Sequence, residues 1–160
     1  MTNLEHILNW RRLNENITLS GQPSEAELIQ IRDLGVTHII NLGPHHNKGA
    51  LPDEAASVGA LGMEYVYIPV EFEAPTDEDF EKFSKKLDEL KGKCVHIHCI
   101  YNARVTAFVY RHSQTPNALI DERQAYKLMD SIWKPGDDWA SFVGRQDAVA
   151  QPNRYAGEDY

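Results

Sequence analysis

The segment Val95-His96-Ile97-His98-Cys99-Ile100-Tyr101-Asn102-Ala103-Arg104-Val105-Thr106 joins three kinds of structure. Val95 to Cys99 is an apolar, β-branched run that reads as a buried strand, and residues from about Asn102 to Arg111 read as a helix. Only a tight loop fits between them. A cysteine at the end of a buried strand, facing the start of the next helix, sits where backbone N–H groups and the helix dipole stabilise a thiolate and attract a phosphate. An arginine in the same loop can grip two phosphate oxygens with its fork.

Working outward, short apolar runs alternate with amphipathic stretches. Ile17–Leu19, Val36–Leu42 and Tyr65–Val70 read as further strands. Ser24 and Glu27 have capping-box spacing, and Leu28, Ile31 and Leu34 share the face of the helix they open, with Gly35 closing it. Pro52 and Asp53 open a small helix that Gly62 ends. Thr76 and Asp79 begin another, whose stripe is Phe80, Phe83, Leu87 and Leu90. Further helices are expected across Asp121–Trp133 and around Trp139–Val143, and the polar tail 151–160 is expected to be loose. Strands alternating with helices predict an α/β fold with a mostly parallel sheet of four or five strands, and ligands then gather beyond the strands' carboxyl ends.

The 160 residues suit one domain spanning 1–160, with its core at about 17–143. With 42% hydrophobic and 25% charged residues, the composition is globular. No run approaches the roughly eighteen apolar residues of a membrane span, and no leader peptide is apparent, so a cytoplasmic protein without a membrane partner is expected. Sixteen basic against twenty-four acidic side chains give a formal charge of −8, which argues against nucleic acid as a partner. Cys94 and Cys99, on one strand, would stand roughly 16 Å apart, beyond disulfide reach.

The segment from His98 to Thr106 resembles the phosphate-binding loop of cysteine-dependent protein tyrosine and dual-specificity phosphatases, whose pattern is H-C-x5-R followed by Ser or Thr. Other pieces follow in order: Ser20-Gly21-Gln22-Pro23, Gly35-Val36 with Ile39-Ile40-Asn41-Leu42, Asp53-Glu54, Gly62 with Tyr65, Ile68-Pro69-Val70, and Thr76 with Asp79-Phe80. From about Ile17 to Trp139 the series looks like the bacterial phosphatase-like family related to beta-lactamase hydrolase-like proteins. The resemblance implies Cys99 as nucleophile, Arg104 as transition-state clamp and the amides of Ile100, Tyr101, Asn102, Ala103 and Arg104 as a phosphate cradle. His98 and Thr106 would support the loop. It also implies a phosphorylated small molecule or phosphoprotein as partner, a phosphate or sulfate anion in the loop, and neither cofactor nor metal.

The loop departs from that pattern. Four residues separate Cys99 from Arg104, giving C-x4-R. If Arg104 keeps its role, one residue is deleted; if the helix register is kept, Val105 takes the arginine position and Arg104 points about 100° away. The glycine often found in such loops is replaced by Asn102, a residue that tolerates positive φ. The general acid, usually an aspartate after the third strand, is assigned to Glu71 in preference to Glu73.

Other readings stay open. The same pocket could serve a catalytically impaired relative as a phosphate-binding module, or, more remotely, a rhodanese-type sulfurtransferase. His96 and His98 share a strand face, and His45 and His46 lie near the same end of the sheet, so a metal site competes. Cys94 is read as a packing residue. Trp133 and Trp139 are read as packing the terminal segment onto the core. Arg11-Arg12 is too short for a nucleic-acid arm, and the sequon Asn16-Ile17-Thr18 carries no weight in a cytoplasmic chain.

Overall fold

The computed structural model describes residues 2–155 and the backbone of Glu158–Asp159. The main sheet contains β1 (Arg11–Arg12), β2 (Ile17–Ser20), β3 (His38–Asn41), β4 (Glu64–Tyr67) and β5 (Val95–His98), in the order β1-β2-β5-β3-β4. Only β1 runs antiparallel to its neighbour. The α/β expectation is met, and Arg11-Arg12 turn out to form the sheet's edge strand. The strand expected over Tyr65–Val70 is shorter than its sequence suggests, although the amides of Ile68 and Val70 still bond to Asn41 and Leu42. Pro69 between them has no N–H to continue the ladder.

The cappings read from sequence set the helix starts. Ser24 accepts from the Glu27 amide while Glu27 returns a bond to Ser24, opening α1 (Glu25–Asp33). Asp53 caps α2 (Glu54–Ala60) and Thr76 caps α3 (Asp77–Glu89). Asn102 precedes α4 (Ala103–His112). The helix expected over Asp121–Trp133 is cut to α5 (Glu122–Asp130), and Trp133 instead begins β6 (Trp133–Lys134). After α6 (Asp137–Phe142) the chain returns as β7 (Arg154–Tyr155), paired with β6 and with β8 (Glu158–Asp159). The expectation of a loose tail is therefore corrected over its first residues. The Gly136 amide donates to Asn153 Oδ1 and the Asp137 amide to the Gln151 carbonyl, while Trp133 stacks on Tyr155. Trp133 and Trp139 are both buried, as packing requires.

Alternation along the strands sorts side chains between two cores. Ile40, Ile97 and Cys99 face a large cluster shared with Phe83, Phe108 and Trp139. Ile39 faces the other layer, with Leu28, Ile31, Val58 and Trp10. Among the described residues no helix is long and apolar enough to cross a membrane.

His96 lies on this second face, stacked on Trp10 at a centroid distance of 5.3 Å. Ser20 Oγ spends its proton on the Gly21 carbonyl, so it accepts from His96 Nε2, and Nδ1 accepts from Thr18 Oγ1. The ring is satisfied only when neutral. Burial, and then the neighbouring His98, hold its pKa well below the usual 6.5. The folded chain refuses a proton that the unfolded chain accepts, so stability present above about pH 6.5 falls on acidification, by up to about 1.4 kcal/mol per pH unit for this one site. The urea midpoint is expected to drop between about pH 7.5 and 5.5, and His96→Gln should flatten that dependence. An unchanged slope in the variant would contradict the assignment.

Candidate functional site

The carboxyl ends of four strands line up in register at Ser20, His98, Asn41 and Tyr67. Just beyond them lies the loop from Cys99 to Asn102. Cys99 is fully buried at the loop's base. Asn102 adopts φ 74°, the left-handed conformation that its side chain tolerates and that turns the strand into α4. The backbone amides of residues 100 to 105 make no hydrogen bond to another described residue. They form a series of unpaired donors at a helix N-terminus, next to a cysteine.

Neighbouring segments brace this loop. The Gln22 amide donates to the Ile100 carbonyl, and Asn9 and Asn102 bond reciprocally, Asn9 Nδ2 to the Tyr101 carbonyl and Asn102 Nδ2 to the Asn9 carbonyl. Two glycines allow the close approach. A Cβ at Gly21 would lie 2.7 Å from the Ile100 carbonyl oxygen, and one at Gly43 3.3 Å from Ile100 Cδ1 and 3.4 Å from the Cys99 carbonyl carbon. Thr106 Oγ1 donates to the carbonyls of Asn102 and Ala103, so it holds the turn from below. Tyr101 is partly exposed and meets Tyr155 edge to face at 5.4 Å.

Arg104 is 5% exposed. Its Nη1 donates to the Val70 carbonyl and to Asn47 Oδ1, both at 2.9 Å, and its guanidinium lies 5.7 Å from the Phe72 ring. The side chain reaches the loops after β3 and β4, whereas Val105 is sealed in the core. Nε and Nη2 have no partner among the described residues, and neither is sealed from solvent. No carboxylate pairs with this buried cation among the described residues.

On the other face, His98 Nδ1 donates to the Cys99 carbonyl and Nε2 meets Glu54 Oε2 at 2.7 Å, both side chains being buried. Burial pushes the Glu54 carboxyl up, but the hydrogen bond and charge of His98, helped by Gln22, outweigh it and leave the pKa lowered. With a carbonyl at one nitrogen and a carboxylate at the other, both ring nitrogens of His98 act as donors. The positive end of α2 favours Glu54 as well. The sequence drew attention to His98 but not to this partner, forty-four residues away; the pair Asp53-Glu54 was visible only as part of a motif series.

Glu71 is exposed and accepts from His46 Nε2 at 2.8 Å. Glu73 lies apart, on the wall of a surface groove with Asp77 and Arg111. His45 bonds to the Tyr65 hydroxyl and stacks on Tyr67 at 3.9 Å. The four histidines considered as metal ligands are thus spent on separate neighbours, and no cluster of three or more metal-ligating side chains occurs among the described residues. Cys94 is half-buried near Asn16.

Strand order and a cysteine loop leading from the central strand into a helix define an α/β domain with the fold of protein tyrosine phosphatases. TpbA of P. aeruginosa superposes with a TM-score of 0.61 at 17% identity, covering 76% of this chain and 72% of that one, which shows the fold. A Shewanella putrefaciens CN-32 structure described as "Putative phosphatase (DUF442)" has a TM-score of 0.75 at 34% identity and covers 89% of this chain and 93% of that one. The chain belongs to that DUF442 phosphatase-like family. It is also 35% identical over 91 residues to the "Beta-lactamase hydrolase-like protein" of Agrobacterium fabrum, a match that takes in 55% of this chain and 21% of that protein. The chain thus matches about a fifth of the length of this curated relative. No family model matches.

Proposed function

We propose that the chain is a cysteine-dependent phosphatase that hydrolyses a phosphate monoester through a Cys99 thiophosphate. The observation that carries this reading is Arg104, a buried cation held by neutral oxygens, with two guanidinium nitrogens unspent. A buried charge without a counter-ion is costly, so the site is built for an anion that arrives from outside. The unpaired amides of residues 100 to 105 add donors for the same anion, in the low-dielectric setting where such donors stabilise developing charge most. TpbA, which shares the fold, has been crystallised in complex with pTyr, which fits a phosphorylated small molecule or phosphoprotein as the ligand class.

In this reaction the Cys99 sulfur attacks phosphorus, Arg104 and the amides hold the equatorial oxygens, and a proton reaches the leaving oxygen from the segment that carries Glu71. Water then displaces sulfur and releases phosphate. Nδ1 of His98 donates to the Cys99 carbonyl and so steadies the backbone from which the sulfur projects.

The test is turnover of a small aryl phosphate by the wild-type chain and by Arg104→Ala. Losing the clamp is expected to lower kcat/KM by about 10²–10³-fold and to abolish thermal protection by phosphate. Equal activity in both proteins would overturn the reading. One observation favours a second reading, a phosphate-binding module without turnover: Cys99 is fully buried, so attack requires the loop above it to yield. Protection by phosphate with no Cys99-dependent hydrolysis would decide for the module.

A further inference from the structure

Arg104 is held by a single nitrogen. A guanidinium carries its N–H donors in one rigid plane, one on Nε and a pair on each Nη. Both donors of Nη1 are spent at 2.9 Å, one on the Val70 carbonyl and one on Asn47 Oδ1. Nε and Nη2 remain, and their parallel N–H bonds form an edge that matches two oxygens of a phosphate. Neither has a partner among the described residues.

The two acceptors are themselves fixed. The Val70 amide donates to the Leu42 carbonyl at 2.9 Å, so the chain beyond β4 stays tied to the chain beyond β3. Asn47 sits in a turn closed on both sides, its amide donating to the Pro44 carbonyl at 3.0 Å and its carbonyl accepting from the Ala50 amide at 3.1 Å. Its side chain accepts from Arg104 through Oδ1, which turns Nδ2 toward His46 Nδ1 at 3.4 Å. The oxygen that holds the guanidinium is neutral. An aspartate there would have nearly the same shape and would supply the buried cation with a counter-ion.

We infer that Asn47 is the positioning residue of the clamp: it anchors Arg104 by the nitrogen outside the fork and leaves the fork, with its full charge, to an incoming oxyanion. The assignment rests on the reading of Arg104 as an anion clamp given above and holds whether or not the captured ester turns over. It also accounts for the short loop. An arginine that arrives after four residues is held by a side chain from another loop, fifty-seven positions away.

Two substitutions at this position separate aiming from support. Asn47→Ala frees Nη1 and should weaken phosphate binding and lower aryl-phosphate kcat/KM by about 10–10²-fold, with little change in the melting temperature of the unliganded chain. Asn47→Asp keeps the shape and adds the counter-ion, so phosphate should no longer raise the melting temperature, while the unliganded variant melts no lower than wild type. Placed on Arg104→Ala, Asn47→Ala should cost no further turnover, because the residue it acts through is gone. Wild-type phosphate protection in Asn47→Asp, unaltered phosphate binding in Asn47→Ala, or a further loss in the double variant would overturn the assignment. A wild-type chain that gains no stability from phosphate would overturn the clamp and this assignment together. One that phosphate protects but that hydrolyses nothing would overturn the hydrolase reading alone, and the two phosphate measurements would still decide on Asn47.

Discussion

Cys99→Ser is expected to lower aryl-phosphate turnover by roughly 10⁴-fold or more, to the limit of detection, because removing a nucleophile disables every other group that acts with it. A serine hydroxyl is a far poorer nucleophile than a cysteine sulfur, and the amides of residues 100 to 105 would then surround a neutral oxygen. Binding should respond differently. Arg104 and the amides are untouched, so phosphate should still raise the melting temperature of the variant by about as much as that of the wild type. Measured together, turnover and thermal shift separate attack from capture. Residual hydrolysis within about tenfold of wild type would show that the sulfur is not the nucleophile.

Glu54→Ala should have the largest effect on folding. It removes the only carboxylate that meets His98 among the described residues and leaves that ring buried with its Nε2 donor unmatched. Breaking a buried ion pair from one side costs about 3–5 kcal/mol, a large share of the roughly 5–15 kcal/mol that holds a domain together. Urea unfolding at neutral pH is the measurement. The double replacement Glu54→Leu with His98→Leu should recover part of the loss, since no charge is then stranded. The pH dependence has a definite sign. Glu54 has a lowered pKa, so its contribution is present above about pH 4.5 and disappears as acid protonates it. A Glu54→Ala midpoint equal to that of wild type would mean that the pair does not hold the loop.

Much of this was legible in the chain because local chemistry dictated it. Ser24 with Glu27, Asp53 and Thr76 announced helix starts by supplying oxygens to unpaired amides. Asn102 announced a left-handed turn. Alternation in Val95–Cys99 put His96 and His98 on one face and the sulfur on the other. Long-range pairing was the part that stayed hidden. Nothing near Arg104 indicates that its partners are Val70 and Asn47, and nothing near His46 indicates Glu71. The tail misled for a related reason. Residues 151–155 look polar, but their order comes from backbone bonds to Gly136 and Asp137 and from the Tyr155 ring on Trp133.

Strand β5 is hydrogen-bonded on both sides, matching Val95 to Ile17 and to His38 at once. A strand clasped in this way cannot slide by one residue without exchanging its two faces, which would carry the sulfur to the histidine side. Any change in loop length must therefore be absorbed after Cys99. The economy of four intervening residues is taken up by the backbone of Asn102 and by how far a guanidinium extends, so natural variation here would move the guanidinium while the sulfur's address stays the same.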